Sequence, residues 1–199
     1  MSQKEDIKKA VKILHDGGII IFPTDTAFGI GCRIDSKESV DRLFALRKRS
    51  IDHATPVLVS SIDMALRYFA EHKELVLSLM KKYWPGALTI VSTCHTDQIY
   101  SPIRGGKENI GLRMPDHPVP LFIIRELGVP ILGPSANFHG EKTPFLFEAL
   151  DQRLMDLVDF VVPGDCAVRR ASTVVDCSTI PISIVRQGAV QLSEDDMKI

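Results

Sequence analysis

The sequence predicts an α/β fold built on a mixed sheet with helices packed around it. Short apolar runs rich in β-branched residues recur at 19–22, 57–59, 87–92 and 110–114 and again near the C-terminus, and each has the length of a strand covered by its neighbours. Between them lie segments whose apolar residues repeat at helical spacing. Helix and strand do not alternate strictly, so antiparallel pairs must be mixed with parallel ones.

Taken in order, residues 3–16 place Ile7, Ala10, Val11 and Leu14 on one helical face, and Gly17 stops that helix. Strand 19–22 follows. Pro23 ends it, because a proline cannot donate to a ladder, and Thr24, Asp25 and Thr26 are left at the strand's carboxyl end. Gly29 and Gly31 let the backbone turn back and approach a neighbour closely. Ser36 caps a second helix with Val40, Leu43, Phe44 and Leu46 on one face, and the helix ends in Arg47, Lys48 and Arg49, which suit its C-terminal dipole.

After strand 57–59, residues 63–83 read as one long helix or two shorter ones, and Trp84-Pro85-Gly86 turns into strand 87–92. Residues 94–109 contain Pro102, Gly105 and Gly106 but no period, and are expected to form a mobile loop. Strand 110–114, helix 118–127 with Pro118 in its first turn, and strand 129–133 come next. Pro134-Ser135-Ala136-Asn137 leaves that last strand much as Pro23-Thr24-Asp25-Thr26 leaves the first. A helix near 146–155 precedes strands 157–162, 173–177 and 182–186, and the acidic tail from Ser193 is expected to fray. Residues 1–199 are read as a single domain with no internal repeat or linker.

Composition narrows the function. Hydrophobic content of 45%, charged content of 25% and a net charge of −1 describe an ordinary globule without a global field for nucleic acid. No apolar run approaches the roughly 20 residues that span a bilayer, so no membrane is expected. Cys32, Cys94, Cys166 and Cys177 are far apart in sequence, which argues against structural zinc and for reduced thiols in a cytoplasm. Gly106-Lys107 lacks the earlier glycine of a P-loop, and Ser135 stands in no nucleophile elbow. What remains is a set of strand-end hydroxyl and amide groups with clumped arginines, donors suited to carboxylate and phosphate oxygens.

Six motifs in order carry a resemblance: Pro23-Thr24-Asp25-Thr26-Ala27-Phe28-Gly29, Arg47-Lys48-Arg49, the run from Gly111 to Pro118, Pro134-Ser135-Ala136-Asn137, Ser172-Thr173-Val174-Val175-Asp176 and Arg186-Gln187-Gly188-Ala189. Together they resemble the YrdC-type domain of the threonylcarbamoyl-AMP synthases, over residues 5–191. The resemblance implies a twisted mixed sheet flanked by helices around an electropositive cleft. It implies an enzyme that converts L-threonine, bicarbonate and ATP, with Mg2+ on the nucleotide, to threonylcarbamoyl-adenylate and pyrophosphate, for a downstream transferase that modifies tRNA.

By position, Thr26, Arg113 and Ser172 match the threonine-binding set. Arg49, His53, Asn109, Ser135, Asn137, Thr143 and Arg186 match the ATP contacts, and Arg47, Arg49, Ser135 and Asn137 the catalytic positions. If Arg113 instead served structure, Asp116 would be its partner. Three positions depart from the family pattern: Arg47 stands where lysine is usual, Phe28 where tyrosine is usual, and Ser50 with the stretch after it replaces a proline-led run. Two other readings are open to the same groove, a non-catalytic module that binds RNA and a paralogue with another substrate.

Overall fold

The strand that opens the sheet consists of Ile20, Ile21 and Phe22, all fully buried, and the chain around it sorts itself by which faces it can cover. In the computed structural model, residues 3–71 and 73–197 are described. Met1, Ser2, His72, Lys198 and Ile199 lie outside them, and with them the ends of the expected domain, one position of the stretch 63–83 and the last two residues of the tail.

The elements run α1 (Gln3–His15), β1 (Ile20–Phe22), β2 (Gly29–Gly31), α2 (Lys37–Leu46), β3 (Val57–Leu58), α3 (Ile62–Leu66), α4 (Glu74–Tyr83), β4 (Leu88–Thr93) and β5 (Asn109–Arg113). They continue with α5 (Pro118–Leu127), β6 (Ile131–Leu132), α6 (Gln152–Met155), β7 (Phe160–Val161), β8 (Thr173–Asp176) and β9 (Ser183–Arg186). Local chemistry explains the helix ends: Ser36 accepts a hydrogen bond from the Ser39 amide at the start of α2, and α5 begins on Pro118 and stops at Gly128 in the left-handed conformation. α1 packs beside α5, with Ala10 and Leu14 fully buried.

The strands form two sheets among the described residues, ordered β2-β1-β7 and β6-β3-β5-β4-β8-β9, where the sequence suggested one. Both parallel and antiparallel pairs occur, as the irregular alternation implied. The sheets meet where β2 passes β6: the Leu132 amide donates to Cys32 O at 2.8 Å, and Ile30 to Pro134 O at 2.9 Å. Pro130 and Pro134 flank β6 and cannot donate, so the ladder there thins to isolated bridges. Gly31 makes the approach possible, since a Cβ at that position would lie 2.0 Å from Leu132 O.

Other differences from the sequence reading are local. The stretch 63–83 is two helices, the second of the readings it allowed, whereas 146–155 breaks into a 3₁₀ turn (Phe147–Ala149) followed by α6. The 94–109 loop contains a 3₁₀ turn (Ser101–Arg104), and the Thr55 amide fastens it by donating to Ile103 O at 2.9 Å. The tail does not fray over its described part. Asp196 is buried there and accepts from Lys82 Nζ at 2.6 Å and from the Tyr83 hydroxyl at 2.7 Å.

Candidate functional site

Alternation along the central strands decides where the site lies. In β4, β5 and β8, Ile90, Leu112 and Val175 are fully buried on one face, so Thr89 and Val91, Gly111 and Arg113, Val174 and Asp176 stand on the other. That second face is the floor of a cavity of about 420 Å³, within the range of small-molecule sites. The expected setting at strand ends is therefore half right. Thr24, Thr26 and Ser135 do leave the carboxyl ends of β1 and β6 to form walls, but the base is a sheet face. From Asn109 to Arg113 the floor spans five residues, four steps of strand rise or roughly 13 Å.

One end is organised by Arg113. Its Nη1 donates to Thr26 Oγ1 at 2.7 Å, its Nε to Gly86 O at 2.9 Å, and its Nη2 to the Asp25 carboxylate. Burial pushes this guanidinium below its ordinary range, and Asp25 acts in the opposite sense. The suggested partner Asp116 is exposed, so Asp25 has the role instead. Beside this group, Ser172 Oγ lies 2.9 Å from Thr89 Oγ1. Arg186 holds Ser172 twice, from Nε to its carbonyl and from Nη2 to its hydroxyl, both at 3.0 Å.

The opposite wall carries donors without acceptors. Arg47 is 2% exposed, its Nε donates to Asn137 O at 3.0 Å, and its Nη1 is buried with no partner among the described residues. Burial, with Arg49 nearby, pushes Arg47 down to about 10, so it stays charged at neutral pH. Thr55 is likewise 2% exposed with its hydroxyl unpartnered. Arg49 uses Nη2 on Ala54 O at 2.7 Å and Nε on His53 O at 3.3 Å, and Lys107 reaches the cavity from the 94–109 loop.

All of the expected site residues line this cavity except His53 and Asn137. His53 is exposed, its ring 5.6 Å from that of His139, and it serves Arg49 only through its carbonyl. Asn137 stands behind the wall: its Oδ1 accepts from Ser135 Oγ at 2.5 Å and its Nδ2 donates to Glu141 O at 2.8 Å. Thr55, Thr89, Lys107 and Asp176 are among the polar lining residues that the sequence reading did not assign to the site. Strand alternation could have found Thr89 and Asp176, whereas nothing in the order of residues marks Thr55.

Among the described residues, no group of three or more His, Cys, Asp or Glu side chains could hold a metal ion, and no helix is long and apolar enough to cross a membrane.

Known proteins match this chain over nearly its full extent. A family model for Sua5, YciO and YrdC, described as telomere recombination, matches residues 12–188. The threonylcarbamoyl-AMP synthase of Bacillus subtilis is 33% identical over 189 residues, covering 92% of this chain and 54% of the relative. Sua5 of Pyrococcus abyssi, solved in complex with L-threonine, superposes with a TM-score of 0.88 at 26% identity, covering 94% of this chain and 55% of that one. YciO of Escherichia coli gives a TM-score of 0.82, also at 26% identity, covering 94% of this chain and 90% of that one. The chain thus spans about half the length of the first two. With the fold shared and the family model matched from 12 to 188, the protein belongs to the Sua5/YciO/YrdC family.

Proposed function

We propose that the protein is a threonylcarbamoyl-AMP synthase, joining L-threonine, bicarbonate and ATP into threonylcarbamoyl-adenylate and pyrophosphate. One observation carries the reading: Arg47, Arg49, Lys107 and Arg186 line a single cavity and none of them has a carboxylate partner among the described residues. Cations gathered without counter-ions suit a ligand with several negative charges, and a triphosphate is such a ligand. The names of the relatives, and L-threonine in one of their structures, support the same choice.

The chemistry asks for little acid-base work. The threonine amine condenses with bicarbonate, releasing water, to give a carbamate, a carbamate oxygen attacks the α-phosphorus, and pyrophosphate leaves. This chain's residues would contribute position and charge. Thr26, Ser172 and the unused Nη protons of Arg113 would orient the amino acid at one end of the floor. Arg47 Nη1 and the Thr55 hydroxyl, both desolvated in advance, would meet phosphate oxygens at the other, and Asn137 would fix Ser135 and Arg47 from behind. A magnesium ion carried on the phosphates would neutralise part of their charge. Such an ion needs only one or two protein carboxylates and no cage, which fits a cavity with a single acidic residue in its lining. The product would pass to a transferase acting on tRNA, and the cytoplasm is the proposed compartment, in keeping with four free cysteines.

The test is pyrophosphate release. Release that requires threonine and bicarbonate together supports the synthase. Release with another amine in place of threonine would make the protein a paralogue with a changed substrate, and tight RNA binding without release would make it a binding module.

A further inference from the structure

Asp176 is the single carboxylate in the cavity lining, yet it forms no ion pair with any of the cations that line the same space. Its Oδ1 accepts from the Ser178 amide at 2.8 Å and from the Ser178 hydroxyl at 2.5 Å, while Oδ2 takes no hydrogen bond from the described residues. The same serine hydroxyl accepts from Asn109 Nδ2 at 3.1 Å, which turns the Asn109 amide so that its own oxygen is left over. Ser178 therefore orients two oxygen donors on neighbouring parts of the floor. Val91 is paired with Asp176 on one side and with Gly111 on the other, and all three stand on the cavity floor.

We propose that Asp176, with the Asn109 amide oxygen beside it, ligates the divalent cation that enters with the nucleotide's phosphates, an assignment that rests on the ATP reading above. A carboxylate pre-oriented by hydrogen bonds on one oxygen, with the other free, suits a hard cation that keeps its waters and shares itself with phosphate oxygens. Arg47, Arg49, Lys107 and Arg186, which line the same space without a carboxylate partner among the described residues, are suited to the phosphates that would carry the cation in.

The experiment uses the whole chain, a non-hydrolysable ATP analogue and Mn2+ as probe, with free Mn2+ read by electron paramagnetic resonance and analogue affinity by calorimetry. Wild type should bind the analogue about tenfold or more tightly with Mn2+ than with EDTA. Asp176→Asn keeps the acceptor for Ser178 and should lose that gain while its affinity in EDTA holds or rises. Asp176→Cys should regain it with Cd2+ and not with Mn2+, which guards against a variant that merely folds badly. A Mn2+ gain that survives Asp176→Asn overturns the assignment. So does an EDTA affinity that falls by the same factor, since the carboxylate would then touch the nucleotide itself. Wild type that binds the analogue without any Mn2+ gain sinks this inference alone; wild type that does not bind it at all sinks the synthase reading as well.

Discussion

Arg113 and Thr26 are joined by a 2.7 Å hydrogen bond that spans 87 positions of sequence. The bond ties the last residue of β5 to the turn after β1, so the wall of the cavity and its floor share one guanidinium. Asp25 takes another of its donors, and both side chains are almost fully buried. The arginine is thus a structural keystone before it meets any ligand.

Arg113→Ala should therefore cost stability as well as function. Removing one partner of a buried ion pair leaves an uncompensated charge, here Asp25, at a typical cost of about 3–5 kcal/mol. Urea denaturation of Arg113→Ala, Asp25→Asn and the double variant should show the double variant less destabilised than the sum of the two. In the synthase assay, Arg113→Ala should raise the threonine requirement far more than the ATP requirement. Equal effects would reassign the arginine to the phosphates.

Arg47 should behave in the opposite way. Its buried Nη1 has no acceptor, and an unmatched buried donor costs about 1–3 kcal/mol in the free protein. Arg47→Met removes that cost together with the hydrogen bond to Asn137 O, so thermal unfolding should shift by no more than about 1 kcal/mol in either direction. Nucleotide affinity should nevertheless fall at least about tenfold, because a charge-assisted contact to phosphate is lost. A variant that unfolds readily yet binds ATP normally would show that Arg47 serves the fold alone.

Much of this arrangement was legible in the sequence wherever local chemistry sets an element. α5 has the expected bounds because Pro118 opens it and Gly128 closes it, and Ser36 caps α2 as anticipated. β2 was missed because Gly-Ile-Gly has little strand character of its own, and its pairing is imposed by the hairpin with β1. The partner of Arg113 was misjudged for a related reason. Asp116 is near in sequence, but Asp25, 88 positions away, is near in space. Asn137 belongs to a motif that marks the site, yet the motif does not reveal which of its side chains faces inward. The docked tail was unreadable because its acidic run looks solvated until Lys82 and Tyr83 are placed beside it.

Gly111 offers a test of the floor that leaves its charges alone. A Cβ there would lie 3.3 Å from Thr89 Cγ2 and 3.5 Å from Val91 Cγ2, a tight contact and an ordinary one, so the fold should tolerate a small side chain. Gly111→Ala should change stability by about 1 kcal/mol or less, helped by the lower backbone entropy of alanine in a strand. Gly111→Val should fill the middle of the floor and weaken analogue binding at least about tenfold, a loss set by excluded volume. Unaltered affinity in calorimetry would place the ligand elsewhere.

The tail makes the pH dependence of stability specific. Hydrogen bonds from Lys82 first, and then from Ser193, hold the Asp196 carboxyl well below the usual carboxylate range, whereas in the unfolded chain it titrates near about 4. In the window between the folded and unfolded values the unfolded chain binds more protons, so stability rises with pH there. The contribution is complete above the unfolded value and is lost as pH falls toward the folded one. Asp196→Asn, which cannot carry the charge, should therefore lower the urea midpoint at pH 7, with the gap to wild type narrowing as pH drops below about 4. A gap of constant size across that range would mean that the tail is held by packing of its apolar neighbours and that the carboxylate contributes nothing through its charge.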